Sequence, residues 1–156
     1  MSTNYDELLI GALLVLPFSE INRRVFEAYA AAGFTDLRPA HTPVFQYLLP
    51  DGDRVVHLAA RAQTTKQAMG YLVDYLEKAG YLERIPDTND GRAQIVRRTA
   101  KGRKVNRIAR ETVEKVQNEW AQVIGEEKMV TLLNTLRELT QHIGFDYIEK
   151  GPLNTK

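Results

Sequence analysis

The sequence predicts a mainly α-helical protein with one small antiparallel β-hairpin, and three observations carry that prediction. Apolar residues recur at helical spacing near both ends, over residues 5–32 and 129–143. Two β-prone runs flank a stretch of turn formers around residue 90. Between the first long helix and this hairpin, the spacing fits short helix, turn and a further helix that opens on a good N-cap, Thr65.

The first helix is expected from Tyr5 to Ala32, with Leu9, Leu13, Leu16, Ile21, Val25, Ala28 and Ala32 apolar and a stop at Gly33. Pro17 should kink or break it. From Leu8 to Leu16 it is apolar nearly all round, more than one face of a surface helix can hide in a small monomer. A short helix is expected over 40–49, a turn at Pro50-Asp51-Gly52 and another helix over 54–62. The Thr65 hydroxyl can accept a main-chain N–H left free at a helix start, so the next helix runs from Lys66 to Ala79 and ends at Gly80. Met69, Leu72, Val73 and Leu76 form its inner stripe, while Lys66, Gln67, Gly70, Tyr71, Asp74 and Lys78 face outward. Strands follow over 81–85 and 93–98, joined by a loop over 86–92 that exceeds the tightest hairpin turn. Thr99 can cap a long helix reaching about Val123. Beyond Gly125, a last helix carries Met129, Leu132, Leu133, Leu136, Leu139 and Ile143 on its apolar side. Residues from Gly151 read as a loose tail. No repeat is present, and residues 1–156 read as a single domain.

Composition narrows the function classes. The chain has 156 residues, 44% of them apolar and 26% charged, enough for a soluble domain with its own core. It has no cysteine, which removes disulfides, thiolate metal sites and cysteine nucleophiles within the chain. The apolar run 8–18 is too short to cross a bilayer, and Asp6 and Glu7 precede it where a signal peptide would carry positive charge, so a cytoplasmic location is expected. His41, His57 and His142 lie far apart with no nucleophile, phosphate-loop or metal motif around them, so neither catalysis, cofactor nor metal is expected.

The net charge of +1 hides a division. Residues 54–110 hold 13 Lys and Arg against 5 Asp and Glu, a balance of +8, and the remainder of the chain carries −7. Such a basic segment attracts phosphates through counterion release, although a solvated face would show the same excess. The order of elements is that of a winged helix-turn-helix, whose second helix enters the major groove while the hairpin reaches along the backbone or into the minor groove. Thr65, Lys66 and Gln67 then stand at a helix N-terminus that favours phosphate. Gln67, Tyr71 and Asp74 suit base edges and sugars, and Gly70 allows either close approach to DNA or relief of crowding with a neighbouring helix.

The stretch Leu58-Ala59-Ala60-Arg61-Ala62-Gln63-Thr64-Thr65-Lys66-Gln67-Ala68-Met69, followed by residues 72–84, resembles the DNA-binding core of the MarR family of regulators. Pro86-Asp87-Thr88-Asn89-Asp90-Gly91-Arg92-Ala93 with Thr99-Ala100-Lys101-Gly102-Arg103 is similar to that family's wing. The resemblance implies a DNA-reading core over about 40–103 and dimerisation helices over about 4–33 and 100–145. It gives Asp90 the role of orienting the Arg92 guanidinium toward the minor groove, with Arg84, Arg97 and Arg98 as flanking phosphate contacts. Gln63 stands where the family often has glycine, Tyr71 where a polar or basic residue is frequent, and Arg98 where an apolar one is usual.

Implied partners are double-stranded DNA, a second copy of the chain and a small aromatic or phenolic effector, with Phe18, Arg23, His41 and Phe45 as pocket candidates. The implied function is a transcriptional regulator, a repressor acting as a homodimer on a pseudo-palindromic operator. The alternative is a winged-helix module that binds protein or RNA instead.

Overall fold

The computed structural model describes residues 5–143. The expected tail from Gly151 and the outermost positions of the flanking helices lie outside them. A 3₁₀ turn at Tyr5–Glu7 precedes helix α1 (Ile10–Ala31), and a second at Pro39–His41 leads into α2 (Thr42–Tyr47). Then come α3 (Val55–Arg61), α4 (Lys66–Lys78), strands β1 (Leu82–Asp87) and β2 (Asp90–Arg98), and the long helices α5 (Ala100–Ile124) and α6 (Glu126–His142). No helix among the described residues is long and apolar enough to cross a membrane.

The boundaries follow from local chemistry. Gly33, Gly52, Gly80 and Gly125 all adopt positive φ, so each stop or turn assigned to glycine occurs where left-handed backbone is needed. Gln63 takes the same conformation (φ 51°) after α3, with its N–H on the Ala60 oxygen and that of Thr64 on the Ala59 oxygen. That geometry explains why glycine suits this position. The Thr65 and Thr99 hydroxyls accept the N–H groups of Ala68 and Gly102, each at 3.1 Å, and cap α4 and α5.

The expected break at Pro17 does not occur, and helix α1 continues through it. The proline removes one hydrogen bond, to the Leu13 carbonyl, on a stretch whose side chains are exposed, so water can satisfy that oxygen. The hairpin is also tighter than the predicted 86–92 loop: β1 continues to Asp87, β2 begins at Asp90, and only Thr88 and Asn89 turn between them. The register holds from Leu82↔Arg98 to Pro86↔Gln94 and then jumps to Asp87↔Asp90, leaving residues 91–93 as a bulge in β2.

The core lies where α1, α2, α3, α4, the hairpin base and α5 meet. Val44, Leu58, Met69, Val73, Leu76, Tyr81, Val96 and Val105 are wholly buried there. Gly102 packs against the Tyr81 carbonyl with no room for a Cβ, which fixes the start of α5 on the hairpin. Arg24 of α1 pairs with Glu119 of α5 at 2.9 and 3.0 Å. The apolar start of α1 finds no cover among the described residues: Leu9, Ile10, Leu13, Leu14, Val15, Leu16 and Phe18 are all exposed, as are Leu132, Leu139 and Ile143 at the other end.

Candidate nucleic-acid interface

With the Thr65 hydroxyl on Ala68, the N–H groups of Lys66 and Gln67 have no helical acceptor and point from the positive end of α4. Lys66, Gln67, Tyr71 and Asp74 are exposed on one side of the helix, opposite Met69, Val73 and Leu76. The Gln67 amide lies 3.4 Å from the Tyr71 hydroxyl, a loose contact that leaves both groups able to meet other partners. A Cβ at Gly70 would meet nothing within 4 Å among the described residues, so the glycine does not relieve crowding with a neighbouring helix of this chain.

Strand alternation divides the wing into two faces. Leu82, Arg84 and Pro86 on β1 share one with Gln94, Val96 and Arg98 on β2, facing α3 and α4. A cleft of about 560 Å³ opens there, bordered by Arg54 of α3's N-cap, Lys66 of α4, and Arg84, Gly91, Arg92 and Gln94 of the wing. The start of the capped helix and the bulged tip thus border one cationic depression. Arg84, on the cleft wall, donates to Asp74 at 2.6 Å and pairs with Glu77, tying β1 to the second half of α4 and neutralising the acids there.

Asp90 is arranged differently from what the resemblance implied. Its carboxylate accepts the main-chain N–H of Arg92 at 3.2 Å and lies 3.5 Å from the Arg54 guanidinium, so it shapes the backbone instead of gripping the Arg92 side chain. Arg54, absent from the sequence reading, also donates to Asp87 through Nε and Nη2 at 2.8 and 2.6 Å. The Asn89 N–H, and after it Arg54, hold the Asp87 carboxyl below the usual carboxylate range.

The other two arginines differ. Arg97 faces away from the cleft, exposed and paired with Glu83 at 2.7 Å. Arg98 is buried and is no phosphate contact: its guanidinium donates to the main-chain oxygens of Phe45, Leu48 and Leu49 where α2 ends.

A second cavity, about 930 Å³, lies between α1, the end of α2 and α5. Phe18 and Phe45 line it, together with Ile21, Val25, Arg103 and Arg107. Arg23 and His41 do not. Arg23 is held on the exposed side of α1 between Glu20 and Glu27. His41 is buried, accepts the Arg38 N–H on Nδ1 at 3.0 Å and stacks on Tyr75 at 4.7 Å. The cations available to an anion here come from α5, where Arg103 and Arg107 recur at helical spacing; that periodicity was present in the sequence.

A capped helix and a β-ribbon bordering one basic cleft, flanked by two long helices, define a winged helix-turn-helix protein. Residues 35–93 match the sequence pattern of the MarR family. Solved structures agree over nearly the whole chain. CouR from Rhodococcus jostii RHA1 bound to p-coumaroyl-CoA is 25% identical, with a TM-score of 0.68 over 92% of this chain and 96% of that one. The repressor CouR bound to a 23-mer DNA duplex is 21% identical, with a TM-score of 0.67 over 90% and 98%. Wild-type MarR from E. coli, in its apo form, is 20% identical, with a TM-score of 0.63 over 85% and 97%. No curated protein is matched by sequence. Residues 35–93 thus carry the MarR family's sequence pattern, and the fold over nearly the whole chain is that of MarR-family winged-helix structures.

Proposed function

We propose that this chain is a sequence-specific regulator, a repressor without catalytic activity, that binds an operator in duplex DNA as a homodimer and releases it when a small aromatic acid binds. The observation that carries the reading is the cleft in which the α4 N-terminus, with Lys66 and its free N–H groups, and the wing tip, with Arg92, face the same space. Helix termini favour phosphate, and an arginine on a narrow ribbon suits the high negative potential of a minor groove. Thr65, Lys66, Gln67, Gly70 and Tyr71 are assigned to the major groove and its phosphates, and Arg92 to the minor groove. Asp74, Arg84 and Asp90 support them, and Arg97 is assigned to backbone beyond the half-site. A structural relative bound to a DNA duplex supports this reading.

The homodimer is supported by the uncovered apolar surface of α1 from Leu9 to Phe18 and of α6 at Leu132, Leu139 and Ile143, which a second copy would bury. Effector release is supported by the cavity between Phe18 and Phe45, with Arg103 and Arg107 to meet a carboxylate, and by a relative bound to p-coumaroyl-CoA.

Selection of bound fragments from random duplex DNA, repeated with a millimolar aromatic carboxylate present, tests the whole reading. It should enrich an inverted repeat with half-sites about 10 base pairs apart, or a multiple of that, and the carboxylate should reduce recovery. Failure to enrich any sequence overturns operator binding, and enrichment of a single unrepeated half-site overturns the dimer.

A further inference from the structure

Resting on that DNA-reading proposal, we infer that Arg54 is a positioning residue that clamps the tip of the wing from α3 and thereby sets the direction of Arg92. A two-stranded ribbon is marginal by itself, and this one is weakened at its tip. Pro86 has no N–H to give the ladder, and residues 91–93 of the bulge have no partner on β1. The turn is instead organised by two carboxylates. Asp87, buried, accepts the Asn89 N–H at 2.9 Å, and Asp90 accepts the Arg92 N–H at 3.2 Å. Arg54 holds both acids, Asp87 through two hydrogen bonds and Asp90 at 3.5 Å.

The other end of the clamp is fixed. Asp53, next in the chain, exchanges two main-chain hydrogen bonds with Val96 at 2.9 Å each, adding a one-residue third strand to the hairpin. Its carboxylate is held by Arg61 and by His57. Arg54 therefore starts from a rigid corner and ends on the only two acids of the turn. A flexible lysine with one ammonium could neutralise them but could not hold the same oxygen through two nitrogens of a planar fork. Without this cation, two carboxylates would stand beside the DNA-facing guanidinium of Arg92, which would both loosen the tip and repel phosphate.

The test uses the full-length chain with Arg54→Gln, Arg54→Lys, Arg92→Ala and the double variant Arg54→Gln/Arg92→Ala. In the free protein, amide exchange at Asn89 and Arg92 should quicken about tenfold in Arg54→Gln and less in Arg54→Lys, while exchange in α4 and α5 stays unchanged. On the selected duplex, Arg54→Gln should weaken binding about as much as Arg92→Ala, and the double variant should be no more than about twofold worse than either single one. Unchanged exchange at the tip overturns the clamp. Losses that multiply in the double variant also overturn it, because Arg54 would then act on DNA independently of Arg92. A wild-type chain that binds no duplex sinks the DNA reading, and the exchange data then decide the clamp alone.

Discussion

The Arg98 guanidinium donates to the main-chain oxygen of Leu48 at 2.7 Å, joining the last residue of the wing to the end of α2, fifty residues earlier. It also reaches Phe45 and Leu49, satisfying carbonyls that the short helix leaves open. Replacing Arg98 with Met should cost ~3 kcal/mol in urea unfolding at fixed protein concentration, because charge-assisted bonds are lost and buried oxygens stay unpaired. Arg98→Lys should recover less than half of that.

Gly70 separates stability from recognition. The space beyond it is open, so Gly70→Ala should raise helix stability by ~1 kcal/mol, measurable as a higher Tm. If DNA approaches α4 closely there, the same variant should bind the selected duplex more weakly. A gain in both quantities would remove Gly70 from the interface.

Stability should fall as the solution is acidified through the histidine range. Burial, then the nearby Arg38 charge, holds the His41 pKa below its usual 6.5, so the unfolded chain takes up the proton first. The contribution of neutral His41 is complete above pH 6.5 and is lost as pH falls from there toward the lowered native value. Protonation would also take away the Nδ1 lone pair that accepts the Arg38 N–H. Comparing urea midpoints at pH 7.5 and 5.5 for wild type and His41→Gln should show a larger drop for the wild type.

The apolar start of α1 offers a direct probe of assembly. Leu13 is 49% exposed and lies outside the buried core. Leu13→Glu should leave far-UV circular dichroism unchanged, convert a dimer to a monomer in light scattering and reduce operator affinity at least tenfold. A wild type that is already monomeric at micromolar concentration contradicts this.

Much of the architecture was legible because periodicity and caps are local: Thr65, Thr99, Gly33, Gly80 and Gly125 place helix ends without reference to the rest of the chain. The wing turn was misplaced because Asn89-Asp90-Gly91 looks like turn chemistry by itself, whereas the turn is held by Arg54 from another element. Arg98 could have been read correctly, since it stands two residues after Val96 and must share its inward face. Arg23 lies between Glu20 and Glu27 at helical spacing, a local signal for a surface ion network and not a pocket. The fit of Arg103 and Arg107 to the second cavity depends on how α5 packs on α1 and α2, which no local pattern carries.

The salt dependence of binding to the selected duplex tests most directly whether the cleft of Lys66 and Arg92 is a DNA surface. Log affinity should fall steeply and linearly with log salt, by about 0.9 for each phosphate neutralised, and Lys66→Ala and Arg92→Ala should each reduce that slope by about one. A shallow slope that neither substitution alters would contradict it and would favour a protein-binding role for the same fold.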